Sequence, residues 1–208
     1  MINTHILSSQ KYKITFVLMA LNIAVYIYTA ISGGNFLKTY YTDTTAQWVQ
    51  YNAAVFHGAY YQLFTAMFLH GDIVHLAGNM LFLLVFGLRG EEMFSLPEYL
   101  GIYVLGGLAG NVFSLVLGPD LFSVGASGAI FAMFGACAIY ARRSIGQSIV
   151  GALVFGFFLL IISSGENVNY FAHIGGLVAG LAMGYVLARL RKPQAATYKV
   201  SHSYAAPF

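Results

Sequence analysis

The spacing of charge along this chain leaves few folds open to it. After Lys13 the next charged side chain is Lys38, and charge-free windows follow at 73–88, 99–119, 121–141, 144–165 and 167–188. A helix needs roughly 20 apolar residues to cross a hydrocarbon core of about 30 Å. All but one of these windows are long enough as they stand. The short one, 73–88, is extended backwards through Ala66-Met67-Phe68-Leu69. The pattern predicts six membrane-spanning helices, an all-α membrane bundle. Only 8% of the residues are charged and 59% are hydrophobic, where a soluble domain carries roughly 25% charge. Such a chain cannot cover its own surface with polar groups in water. The first apolar run is a full span, so no cleavable signal peptide is expected.

The window 44–71 also lacks charge, but Thr44, Thr45, Gln47, Gln50, Asn52, His57 and Gln62 are scattered through it beside Trp48 and several tyrosines. Amphipathic aromatics prefer the membrane–water interface, so this stretch reads as an interfacial loop with short helices. Orientation follows from Lys and Arg. With the N-terminus in the cytoplasm, Lys11, Lys13, Arg89, Arg142, Arg143, Arg189, Arg191, Lys192 and Lys199 fall inside, and only Lys38 outside. The expected location is the cell (plasma or inner) membrane, multi-pass, with both termini cytoplasmic. The net charge of +3 then reflects topology and gives no reason to expect nucleic acid as a partner. Residues 1–192 read as one six-helix domain and 193–208, opening on Pro193, as a flexible cytoplasmic tail. The single cysteine, Cys137, cannot form an intrachain disulfide and reads as a small packing residue.

Polar groups inside a span are costly and often mark function. His75 lies 14 residues before Arg89, Ser127 lies 15 before Arg142, and His173 lies 16 before Arg189. At 1.5 Å per residue all three sit roughly 21–24 Å above the inner edge, in one layer. Asn79 shares the face of His75, one turn deeper. The fourth helix, starting at Ser127, is too short to span, so it begins inside the bilayer and Leu121 to Ala126 descend to it as non-helical backbone. Backbone of that kind is tolerated only in protein or beside a water-filled cavity, which implies a polar pit with Ser127 at its floor.

A serine at a helix N-terminus beside an imidazole suits hydrolysis. Histidine takes the serine proton during attack, and the oxyanion needs fixed donors, which the Ser127 N–H, His75 and Asn79 can supply. No carboxylate shares the layer, so a dyad is expected rather than a triad. Small residues at Ala172, Gly176, Gly180 and Gly184 on helix six, and at Gly128, Ala132 and Ala136 on helix four, allow close helix contact. A lone serine in a span ordinarily bonds back to its own helix, and a lone histidine is ordinarily a packing residue. The shared depth argues against both for Ser127 and His173. His70, with no reactive partner in view, reads as making a structural hydrogen bond. Neither a cofactor nor a metal is expected, because no H-E-x-x-H or third clustered ligand is present.

These residues resemble the rhomboid intramembrane serine proteases over about residues 60–188. Gly125-Ala126-Ser127-Gly128 resembles the family's G-x-S-G. Ala172-His173, followed by Gly176 and Gly180, resembles its A-H-x-x-G-x-x-x-G. His70, His75 and Asn79 resemble its H-x-x-x-x-H-x-x-x-N, and Gly87 with Glu91 resembles a G-x-x-x-E turn in its cytoplasmic loop. The resemblance implies a six-helix rhomboid-like bundle with Ser127 as nucleophile, His173 as base, and His75 and Asn79 as oxyanion donors. Gly125 and Phe131 are expected to contact substrate. The implied substrates are single-pass transmembrane proteins, gated by the fifth helix and a cap loop at about 164–169. Tyr61-Gln62 stands where the family usually carries Trp-Arg, whose arginine is structural, and Phe131 where it often carries Tyr. The rival readings are a non-catalytic rhomboid-like binding or quality-control protein, and a transporter. The former typically lacks the serine or the histidine. The latter predicts repeats and a second polar layer, and the sequence has neither.

Overall fold

The computed structural model describes residues 13–145, 151, 154 and 168–191. In chain order they form α1 (Lys13–Gly33), α2 (Asp43–Ala46), β1 (Gln50–Tyr51), α3 (Asn52–Phe56), α4 (Gln62–Thr65), a 3-10 turn at Ala66–Phe68 and α5 (Ile73–Met93). Next come α6 (Leu96–Phe113), continued as a 3-10 turn to Leu117, β2 (Phe122–Ser123), α7 (Ser127–Ile145) and α8 (Tyr170–Leu190). Among the described residues α1, α5, α6 with its turn, and α8 are long and apolar enough to cross a membrane. The apolar part of α7, Ser127–Arg142, is shorter. The expected fifth span, 144–165, lies almost wholly outside the described residues, as do most of the 164–169 loop and the expected tail, 193–208.

Two boundaries differ from expectation. The helix expected to begin near Ala66 begins at Ile73, because the Asp72 carboxylate accepts from His75 N at 2.7 Å and caps it there. Leu69 is extended and separates it from the preceding turn. The same helix runs forward past Arg89, which pairs with Glu92 on its own surface at 2.5 Å. Glu91 therefore lies in the last turn of α5 and not in a loop. Its carboxylate accepts from Thr15 N at 2.7 Å, satisfying one of the donors that every helix leaves open in its first turn. That contact ties α5 to α1. A capping box, Ser95 N to Glu98 Oε2 at 2.7 Å, starts α6.

α7 is the centre of the bundle. Gly128 to Cys137 are buried without a break, which is the behaviour of a helix apolar all round. Cys137 packs there with its Sγ 4.0 Å from the Phe86 carbonyl. The outward faces of α1, α5, α6 and α8 expose Val17, Ile31, Val74, Leu81, Leu105, Val116, Val178 and Val186, a surface suited to lipid. The interfacial loop carries short helices as expected, and also a strand. β1 pairs antiparallel with β2, Gln50 opposite Ser123 and Tyr51 opposite Phe122, with the Tyr51 and Phe122 rings stacked at 4.3 Å.

Candidate active site

The segment entering α7 determines what the site can be. Leu121 to Ala126 are non-helical. Gly125 N donates to the Ala66 carbonyl at 2.9 Å, and Gly125 has φ +130°, a conformation open to glycine. A Cβ at Gly125 would lie 2.9 Å from Cε1 and Nε2 of His75 and 3.6 Å from Asn79 Nδ2. Glycine thus serves twice, turning the chain and letting the imidazole press against it. α7 then begins on Ser127.

α8 begins equally sharply. The Asn169 side chain accepts from Ala172 N at 3.1 Å and caps the helix, so His173 falls in its first turn. Below that turn α8 lies directly on α7: Gly176, Gly180 and Gly184 rest against the backbone of Gly128, Ala132 and Ala136. These are the residues expected from their spacing. At this separation His173 Nε2 and Ser127 Oγ are hydrogen-bonded at 2.8 Å.

The surrounding groups are few. The Phe131 ring stacks on His173 with centroids 4.6 Å apart, so the phenyl supports the imidazole from within α7. His173 is buried and, among the described residues, its Nδ1 has no hydrogen-bond partner. The same holds for Asn79 Nδ2, an amide donor left open beside Gly125. His70 is fully buried with its ring edge-on to His75 at 5.1 Å. Neither of its nitrogens meets a well-formed hydrogen-bond partner among the described residues. Among those residues no three His, Cys, Asp or Glu side chains are placed to hold a metal.

Ser127, His173, His75 and Asn79 are therefore neighbours, with Gly125 and Phe131 packed on the two imidazoles. Chemically the set offers a hydroxyl against a ring nitrogen, beside an amide donor without a partner among the described residues and a second imidazole. Comparison with known proteins gives these residues a lineage. The model of the Rhomboid domain matches residues 57–190. The chain belongs to the rhomboid family. It is 36% identical over 140 residues to RHOMBOID-like protein 6, mitochondrial, of Arabidopsis thaliana, covering 64% of this chain and 45% of that one. It is 32% identical over 199 residues to rhomboid protease GluP of Bacillus subtilis, covering 90% of this chain and 37% of that one. Rhomboid-like protease 3 of Toxoplasma gondii is 31% identical over 131 residues, covering 59% and 50%. This rhomboid spans half or less of the length of each of these relatives. Family and apolar helices together make it a multi-pass membrane protein.

Two features of this rhomboid escaped the sequence reading. Gln62 anchors the loop before α5: its Oε1 accepts from Tyr51 N at 3.0 Å and its Nε2 donates to the Gln47 carbonyl at 3.1 Å. Ser123 and Asn169 meet across the top of α7 and α8. Asn169 carried a signal, since a cap residue just before an apolar helix is readable, but nothing in the sequence pointed to its partner.

Proposed function

We propose that this rhomboid is an intramembrane serine endopeptidase working through a Ser127–His173 dyad. The observation that carries the reading is the 2.8 Å hydrogen bond between Ser127 Oγ and His173 Nε2. The hydroxyl donates its proton to Nε2 as Oγ attacks a peptide carbonyl. The tetrahedral oxyanion is met by the Ser127 N–H, the Asn79 amide and the His75 imidazole. The protonated His173 gives its proton to the leaving amine, and water then hydrolyses the acyl-enzyme with His173 again as base. The open Asn79 Nδ2 supports this, because a buried amide donor with no partner is costly unless a ligand uses it.

The substrates are single-pass transmembrane proteins, and Gly125 and Phe131 border the groove that receives the unwound segment. The catalytic unit is residues 1–192, in the cell membrane with both ends cytoplasmic. The test is purified protein in liposomes with a model transmembrane substrate and a fluorophosphonate label. Wild type should cleave and be labelled at Ser127, and Ser127→Ala and His173→Ala should do neither. Cleavage at the wild-type rate by Ser127→Ala would sink the reading. Absence of both labelling and turnover in folded wild type would point to a non-catalytic rhomboid.

A further inference from the structure

The Ser127–His173 hydrogen bond has a counterpart one step above it. Asn169 Nδ2 donates to Ser123 Oγ at 3.0 Å. Ser123 precedes Ser127 by four residues and Asn169 precedes His173 by four, so both bonds join positions 46 apart in sequence. The two cross-links run in parallel between the same pair of segments. Each end of the upper one is fixed independently. Asn169 Oδ1 is held by Ala172 N. Ser123 is buried and pairs with Gln50 across the two strands. The Gln50 amide donates in turn to Ser114 Oγ at 2.9 Å and to the Asn111 carbonyl at 3.1 Å. An unbroken polar path therefore runs from the end of α6 through β1 and β2 to the cap of α8.

We infer that Ser123 and Asn169 are positioning residues, whose bond sets the slide of the first turn of α8 against the serine segment. The inference rests on the dyad proposed above. The small-residue contacts fix how closely α7 and α8 approach below the dyad. They act on helical backbone from Ala172, whose carbonyl lies against Gly128, downward, and Gly125 is held by the Ala66 carbonyl, leaving the cap of α8 and the strand residue Ser123 to be located against each other by something else. The Ser123–Asn169 bond does that where a shift of a fraction of an ångström separates Oγ from Nε2. Neither side chain reaches the reacting atoms, so their loss should act on kcat and leave KM in place.

Ser123→Ala removes the bond and leaves the cap on α8 intact. Asn169→Ser keeps a capping oxygen but is too short to reach Ser123. Asn169→Asp keeps the cap and can accept from the Ser123 hydroxyl. Active sites are counted by fluorophosphonate titration, and kcat is expressed per titrated site over a pH series. We expect Ser123→Ala and Asn169→Ser each to lower kcat about tenfold, the net worth of one intramolecular hydrogen bond lost from the alignment of the dyad. KM should move less than about twofold, and the double variant should be no worse than either single. Asn169→Asp should recover to within about threefold of wild type. Wild-type kcat per site in Ser123→Ala overturns the inference. So do losses that multiply in the double variant, or a fall in melting temperature and titrated sites with kcat per site unchanged. Cleavage that survives Ser127→Ala overturns the dyad itself, which is a different result from Ser127-dependent cleavage indifferent to Ser123.

Discussion

Gly125 concentrates two demands on one backbone position. Its φ of +130° excludes side chains at low cost, and the His75 ring occupies the space a Cβ would need. Gly125→Ala should destabilise the protein by about 1–3 kcal/mol, seen as a lower melting temperature in detergent. Under the proposed mechanism it should also remove nearly all cleavage, because His75 would have to retreat from the place where it is proposed to meet the oxyanion. At this scale the sequence was most informative where depth could be counted. Ser127, His75 and His173 stood out because a polar group at membrane depth is rare and the inner arginines serve as a ruler. Ser123 and Asn169 did not, since each is an ordinary polar residue of a connecting segment and only their approach in space gives them meaning. Phe131 falls between: its i+4 relation to Ser127 was visible, and the 4.6 Å stacking on His173 needed coordinates.

Between elements, the governing contact is α7 on α8. Gly180→Leu would thrust a side chain into the Ala132 backbone, forcing the helices apart by more than a core can absorb. The expected result is loss of activity with Ser127 and His173 both present, and destabilisation of roughly 3 kcal/mol or more, checked by fluorophosphonate labelling and thermal unfolding. The small-residue ridges were legible because four-residue spacing on a helix states a face outright. The start of α5 was misjudged for the opposite reason. Hydropathy runs continuously from Ala66 into the helix, whereas the true boundary is an Asp72 cap, a local hydrogen bond that hydropathy does not register. Its far end lies beyond the charge-free window because Arg89, Glu91 and Glu92 are all carried on the helix, and charge alone does not end one. β1 and β2 are two residues each, too short for any alternation to show.

For the molecule as a whole, one guanidinium closes the end remote from Ser127 and His173. Arg191, just past α8, donates to the Met93 carbonyl at 2.6 Å, to Tyr140 Oη at 2.9 Å and to the Glu98 carboxylate. It thereby ties the end of α5, the start of α6 and the body of α7 to α8. Arg191→Ala should cost about 2 kcal/mol and lower the melting temperature. Arg191→Lys should recover only part of it, since an ammonium lacks the planar fork. None of this could be read from sequence, where Arg191 was one more positive charge in a topology count and Glu98 lay 93 residues away.

The enclosure of α7 also has a consequence in time. Ser127 is synthesised 46 residues ahead of His173, and the walls around α7 are complete only when α8 has seated. Until then the extended segment leading to Ser127 lacks one of its sides, and Ser127 Oγ has no imidazole partner from α8. If the dyad proposed above does the chemistry, the growing chain is inert until α8 has packed on α7.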